Sequence, residues 1–190
     1  MKLPGPRPLT SIRRASRSTF LLLCGVVLSS TLPGSPPEPA RERTTSVRGE
    51  KLPELGFDRL SAFPYIIIDA GTGATPAQID EARKRGQIPP WLQTYNGRRV
   101  VLTGYLLPLQ MENGRAKKFI LMRDVTTCCY GATPNMNDYV IVSMKGEGAK
   151  ADQDIPVMVA GVFHVEETYD NGYVVSLFHM DGEVFLGPRT

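Results

Sequence analysis

Val100-Val101-Leu102-Thr103-Gly104-Tyr105-Leu106-Leu107-Pro108-Leu109 is the stretch that decides how this 190-residue chain folds. Its valines, leucines and tyrosine suit the pleated surface of a β-strand. A surface strand alternates apolar and polar residues, whereas this one is apolar on both faces and needs cover on each. Gly104 sits at its middle, where a missing side chain permits a bend. A long strand bent at its centre suits a closed barrel, in which every strand must tilt around the axis.

Downstream the chain keeps this character. Asn113-Gly114 marks a tight hairpin turn into a strand over 117–123, and a third strand follows over 139–144. A fourth is predicted over 156–166, and Asn171-Gly172 turns the chain into a fifth over 173–180. Asp181-Gly182 follows the fifth strand and leads to a short apolar end at 184–186. Five strands with a bent first one predict a mainly β protein. Its expected core is a small five-stranded barrel, closed or partly open, of the oligonucleotide/oligosaccharide-binding (OB) kind. A β-sandwich is the alternative.

Upstream the elements are short. Residues 63–68 look like a buried strand entering a Gly71-Thr72-Gly73 turn. The segment 69–74 lacks both the Gly-Lys-Ser/Thr ending of a phosphate loop and the third glycine of a dinucleotide fingerprint, so a plain turn is expected. Thr75-Pro76-Ala77-Gln78 has the N-cap threonine, first-position proline and later glutamine of a capping box. Gly86 ends that helix and Pro89-Pro90 prevents its resumption. Arg83-Lys84-Arg85 then complements the dipole of its last turn.

The first 35 residues carry Lys2, Arg7, Arg13, Arg14 and Arg17 and no acid, followed by an apolar run over 19–28. That is the pattern of a secretory signal, with Val27 and Ser29 placed for cleavage. The run is shorter than the roughly 20 apolar residues of a membrane-spanning helix. Cys24 as a lipid-bearing cysteine is disfavoured because the bulky Leu23 precedes it. The net charge of +3 belongs to this segment, since the remaining 17 basic and 19 acidic side chains leave −2. A nucleic-acid partner would need a basic patch on the folded part.

Residues 31–50 are rich in Pro, Ser, Arg and Glu and poor in large apolar side chains. The expected organisation is therefore a signal peptide or anchor over 1–35, a disordered Pro-rich tether over 36–50, an N-terminal extension with one short helix over 51–97, and the barrel over 98–190.

Cys128 and Cys129 are adjacent, and the third cysteine lies in the signal. Neighbouring Cα atoms are about 3.8 Å apart, below the roughly 4.4–6.8 Å of an ordinary disulfide. Metal ligation, a strained vicinal disulfide, an intermolecular bridge and buried small apolar groups all stay open. His164 and His179 lie nearly symmetrically about the Asn171-Gly172 turn and can face each other across the hairpin. Cys128, Cys129, His164 and His179 thus form a candidate zinc or copper site, although paired zinc cysteines are normally two to four residues apart. The plainer expectation is half-buried strand histidines, structural cysteines and no cofactor.

Ile88-Pro89-Pro90-Trp91-Leu92, Tyr95-Asn96-Gly97-Arg98-Arg99-Val100 and Gly104-Tyr105-Leu106-Leu107-Pro108-Leu109 resemble the opening of an exported bacterial family known as domain of unknown function 3299 (DUF3299). Cys128-Cys129-Tyr130-Gly131 with Pro134 and Val159-Ala160-Gly161-Val162-Phe163 are similar to its cysteine loop and closing strand. The resemblance covers roughly residues 86–186. It implies a small secreted or lipid-anchored barrel with no established reaction and an association with envelope transport of metals. Tyr130 departs from the family's Cys-x-His pattern, which removes an imidazole from the loop.

Catalytic constellations are weaker. A nucleophilic cysteine needs a base beside it, and a redox pair is expected as Cys-x-x-Cys. Asp69 with Asp80, and Asp152 with Asp154, look like turn and helix-surface acids. Met111, Met122, Met144, Met158 and Met180 suit core and rim packing, and Met136 is the one thioether placed to join a copper site. The sequence therefore predicts an exported envelope protein acting as a non-enzymatic binding or accessory module. Its partner would be an envelope protein or a small ligand. Metal handling and thiol redox chemistry are the alternatives.

Overall fold

The long strand forms, and it changes partners at its glycine. In the computed structural model, which describes residues 42–125, 134–151 and 155–189, β3 runs Arg98–Glu112. The described residues all fall within one compact unit of the chain, Pro39–Thr190. The other strands among them are β1 (Thr44–Val47), β2 (Glu50–Leu55), β4 (Arg115–Met122), β5 (Tyr139–Met144), β6 (Val157–Asp170) and β7 (Tyr173–Pro188). The first half of β3 pairs with β6, from Arg98 opposite Phe163 to Gly104 opposite Val157. The second half pairs with β4, starting at Tyr105 opposite Met122. A Cβ on Gly104 would lie 2.6 Å from the Met122 carbonyl oxygen and 2.8 Å from the Phe57 ring. Only glycine lets the strand pass there.

The pairings close on themselves. β4 is antiparallel to β5, β5 is parallel to β7, β7 is antiparallel to β6, and β6 returns to β3. The protein is mainly β, a seven-stranded sheet containing this five-strand ring. Asn113 and Gly114, and Asn171 and Gly172, all have positive φ, the requirement of the two-residue turns expected at both hairpins. Phe119, Phe163, Phe178, Leu102, Leu121 and Leu177 are fully buried and fill the interior. Leu55, Phe57, Leu60, Phe63, Leu92 and Tyr95 join the same core, so residues before 98 share it with the strands.

The helix expected before the sheet is α2 (Pro76–Arg85), with α1 (Phe57–Leu60) and α3 (Pro90–Gln93) as single turns beside it. Thr75 and Gln78 form the reciprocal capping box, and Gly86 ends the helix at φ 64°. Gly71-Thr72-Gly73 is a plain turn, a 3₁₀ segment closed by Gly73 in the left-handed region.

Four expectations need correction. Residues 63–68 are not a strand: Ile66 is 67% exposed, and its peptide groups bond the Gln87 side chain at 2.9 and 2.8 Å in place of a neighbouring strand. Asp181-Gly182 does not end the fifth strand, which continues to Pro188. Gly182 lies inside β7 opposite Gly161, where its missing side chain makes room for Met144. The segment 44–50, expected to be tether, contains β1, which forms a hairpin with β2 and buries Val47 to 2% exposure. Asp69 is not a solvated acid. It is 5% exposed, accepts the Gly71 and Val174 amides at 2.9 and 3.1 Å, and pins its turn to β7.

Candidate functional site

The β6–β7 hairpin brings His164 directly opposite His179. Their neighbours Phe163, Val165, Phe178 and Met180 are buried, so the alternation of a strand turns both imidazoles to the outer side of the ring. His164 Nε2 lies 3.6 Å from Asp181 Oδ2, and the same carboxylate meets Lys145 Nζ at 3.0 Å. That lysine contact is the main reason the Asp181 carboxyl titrates below its ordinary range. His179 Nε2 lies 2.8 Å from Ser176 Oγ and 3.3 Å from Thr168 Oγ1. Burial lowers the His179 pKa; Glu166 opposes the shift, and His164 and Lys118 add to it.

His179 therefore favours the neutral imidazole, the form that ligates metals, but its Nε2 is engaged by hydroxyls. Cys128 and Cys129 lie outside the described residues, as do Asp152 and Asp154. Among the described residues no three His, Cys, Asp or Glu side chains converge as a metal cluster. The structure thus joins two of the four residues named for the metal site.

A second place emerges that spacing in the chain does not reveal. Where β2 docks parallel on β3, Glu54 opposite Val101 and Leu55 opposite Leu102, the hairpin and α1 leave a recess of about 470 Å³. Four arginines line it: Arg43 before β1, Arg59 in α1, Arg123 after β4 and Arg189 after β7. Thr103 and Tyr105 of β3 form its wall, and the buried Leu55 and Phe57 form its floor. Arg59 is set by aromatic rings, donating to the Tyr95 hydroxyl at 2.6 Å with its guanidinium 5.9 Å from the Trp91 ring centroid. Tyr95 in turn donates to Glu42 at 2.9 Å; burial first, then this hydrogen bond, raises its pKa. The arginines are scattered from 43 to 189, each at or near an element's end, so no local motif announces them.

The remaining flagged residues have structural roles. Asp80 pairs with Arg83 at 3.6 Å on exposed α2, and Arg85 pairs with Glu81 at 3.1 Å. The Arg83 guanidinium also stacks 3.6 Å from the centroid of the Tyr169 ring. Met136 packs against the core and its sulfur accepts the Tyr139 hydroxyl at 3.1 Å. Tyr65 and Tyr169 both donate to Glu167 at 3.0 Å, and burial, with that carboxylate beside it, raises the pKa of Tyr65 far above normal.

No curated protein matches the chain. A crystal structure of a DUF3299 family protein from Pseudomonas aeruginosa PAO1 is similar at 20% identity and a TM-score of 0.49, covering 72% of this chain and 96% of that one. The family described as "Protein of unknown function (DUF3299)" matches residues 65–184, starting earlier than the motifs around 86 suggest. That match takes in α2, α3, β3 to β6 and most of β7, more than half of the 190 residues, and the chain belongs to the DUF3299 family.

Proposed function

We propose that the protein is an exported cell-envelope binding module on an OB-like ring, acting without catalysis and holding its ligand in the arginine-lined recess. The strand order supports the OB-like reading: β6, β3, β4 and β5 lie side by side in the fourth-first-second-third order of a Greek key, and β7 closes the ring. The charge and apolar pattern of residues 1–35 supports export. One observation carries the binding role. The interior is packed with fully buried side chains, while the recess at its edge has the volume of a small-molecule site. An envelope partner, such as a component of a transport system, would then meet the module at this edge.

The test is an NMR screen of small polar compounds against the purified protein. Ligands should shift the amides of Arg59, Thr103 and Tyr105 and be recovered chemically unchanged. Ligands that shift only other amides, or that are consumed, would overturn the reading. A fusion of residues 1–35 to a reporter active only outside the cytoplasm should give signal, and reporter silence would remove the envelope from the proposal.

A second reading, a zinc or copper site, is favoured by the placement of His164 opposite His179. It needs Cys128 and Cys129 as further ligands. Near-stoichiometric metal in the purified protein, lost in the Cys128→Ser, Cys129→Ser double variant and weakened by His179→Ala, would establish it over the first.

A further inference from the structure

The recess arginines differ from Arg99 on the outer face in what neutralises them. On the outer face Arg99 is gripped by two carboxylates, Glu183 at 2.8 Å and Glu50. In the recess the shortest ion pairs are 3.7 Å, Arg123 to Asp138, and 3.8 Å, Arg189 to Glu54. Those carboxylates are already engaged. Asp138 accepts from Ser61 and Asn135 at 2.6 Å each, and Glu54 accepts from Thr45 at 2.6 Å. Arg59 spends one donor on the neutral Tyr95 oxygen and makes no ion pair among the described residues, nor does Arg43. Of the two other acids on the lining, Glu42 takes the Tyr95 hydroxyl, and Asp58 folds back over Gly56.

A guanidinium has five N–H donors, no acceptor, and a planar fork that matches carboxylate and phosphate oxygens. Among the described residues, the side-chain contacts of these four groups engage only a few of those donors. The buried floor of Leu55 and Phe57 lowers the local dielectric and strengthens any charge pairing made there. We infer that the recess binds an anionic group, a carboxylate or a phosphate, through Arg43, Arg59, Arg123 and Arg189. This assignment rests on the recess being the ligand site.

The experiment titrates the purified full chain with succinate, with inorganic phosphate and with succinamide, the neutral counterpart of succinate. Succinate or phosphate should shift the amides of Arg59, Thr103 and Tyr105, and added salt should weaken that binding. Whichever anion binds more tightly identifies the group as carboxylate or phosphoryl. Arg43→Gln with Arg123→Gln should weaken it about tenfold or more, the effect of losing hydrogen bonds to a charged group. Both side chains are exposed, so this double variant keeps the fold, whereas Arg59→Met also disturbs the Trp91 and Tyr95 contacts. Succinamide binding as tightly as succinate at the same amides would overturn the anion assignment and leave the recess standing as a ligand site. Anions that move no recess amide, or that bind the double variant unchanged, would also overturn it.

Discussion

Over Val100–Leu102 the two faces of β3 are both buried, but by different means. Val100 and Leu102 point into the ring, where they meet side chains from all five of its strands and from the segment before it. Val101 points outward between them and is only 1% exposed, because the β1–β2 hairpin lies over it. The outer cluster has just four fully buried members, Val47, Leu52, Val101 and Ala160, with Met158, Val184 and Leu186 at its margin. Arg99 clasps its edge, bridging Glu50 of β2 to Glu183 of β7. The inner cluster needs the whole ring to exist, whereas the outer one needs only a hairpin to stay down. Stability should accordingly be global inside and local outside.

The strongest way to break this contrast is to empty the interior. Phe163 is fully buried with its ring centroid 5.6 Å from that of Phe178. Phe163→Ala should cost about 3–5 kcal/mol, through lost transfer energy and the cavity left between β6 and β7. Chemical denaturation monitored by the β-sheet spectrum measures it. A loss below about 1 kcal/mol would mean that the interior collapses freely and does not set global stability.

Gly104→Val tests the same interior from its seam. The new side chain would meet a backbone oxygen and the Phe57 ring at once, so β3 must shift or α1 must move away. The expected cost is about 1–3 kcal/mol, as for other overpacked cores. An unmoved melting transition would show that the strand does not bend tightly at Gly104.

This contrast also marks how far the sequence could be read. β5 is legible to the residue at Tyr139–Met144, because a short run of strand-forming residues bounded by turn residues acts locally. The two-faced burial of β3 is legible as a pattern, but its cause is not. The cover comes from Val47, in the segment whose composition suggests a tether, and from Leu52 just after it. Ile66 and Ile67 mislead in the opposite sense, being apolar yet exposed, and the peptide groups of Ile66 bond the Gln87 side chain in place of a strand. Gly182 misleads because glycine serves both turns and close strand contact, and only the tertiary partner Met144 decides between them. At the site, the facing of His164 and His179 follows from hairpin symmetry. The arginine recess does not, because the element ends that carry its four arginines meet only in the folded ring.

Leu52→Ala probes the outer cluster alone. Leu52 is 2% exposed, but its partners are few and the hairpin can settle onto the gap. The expected cost is about 2 kcal/mol, the low end for a buried leucine. Hydrogen exchange should show it as faster opening of β1 and β2, with β3 to β7 still protected. Uniform loss of protection across the sheet would merge the two clusters into one cooperative core.

The smallest expected effect lies on the outer face of the β6–β7 hairpin. His179 stands there with its pKa lowered, chiefly by burial, while the unfolded chain keeps the ordinary value near 6.5. Between those two values the unfolded state binds more protons than the folded one, so acid favours unfolding. The contribution is complete above about pH 6.5 and is lost as pH falls through the folded value. Groups facing the ring modulate it: Glu166 favours the charged form, and His164 and Lys118 disfavour it. His179→Gln removes the titration and should flatten stability against pH just below 6.5. If the slope survives the substitution, another group carries it, and the open face at His179 is as well solvated as an ordinary surface.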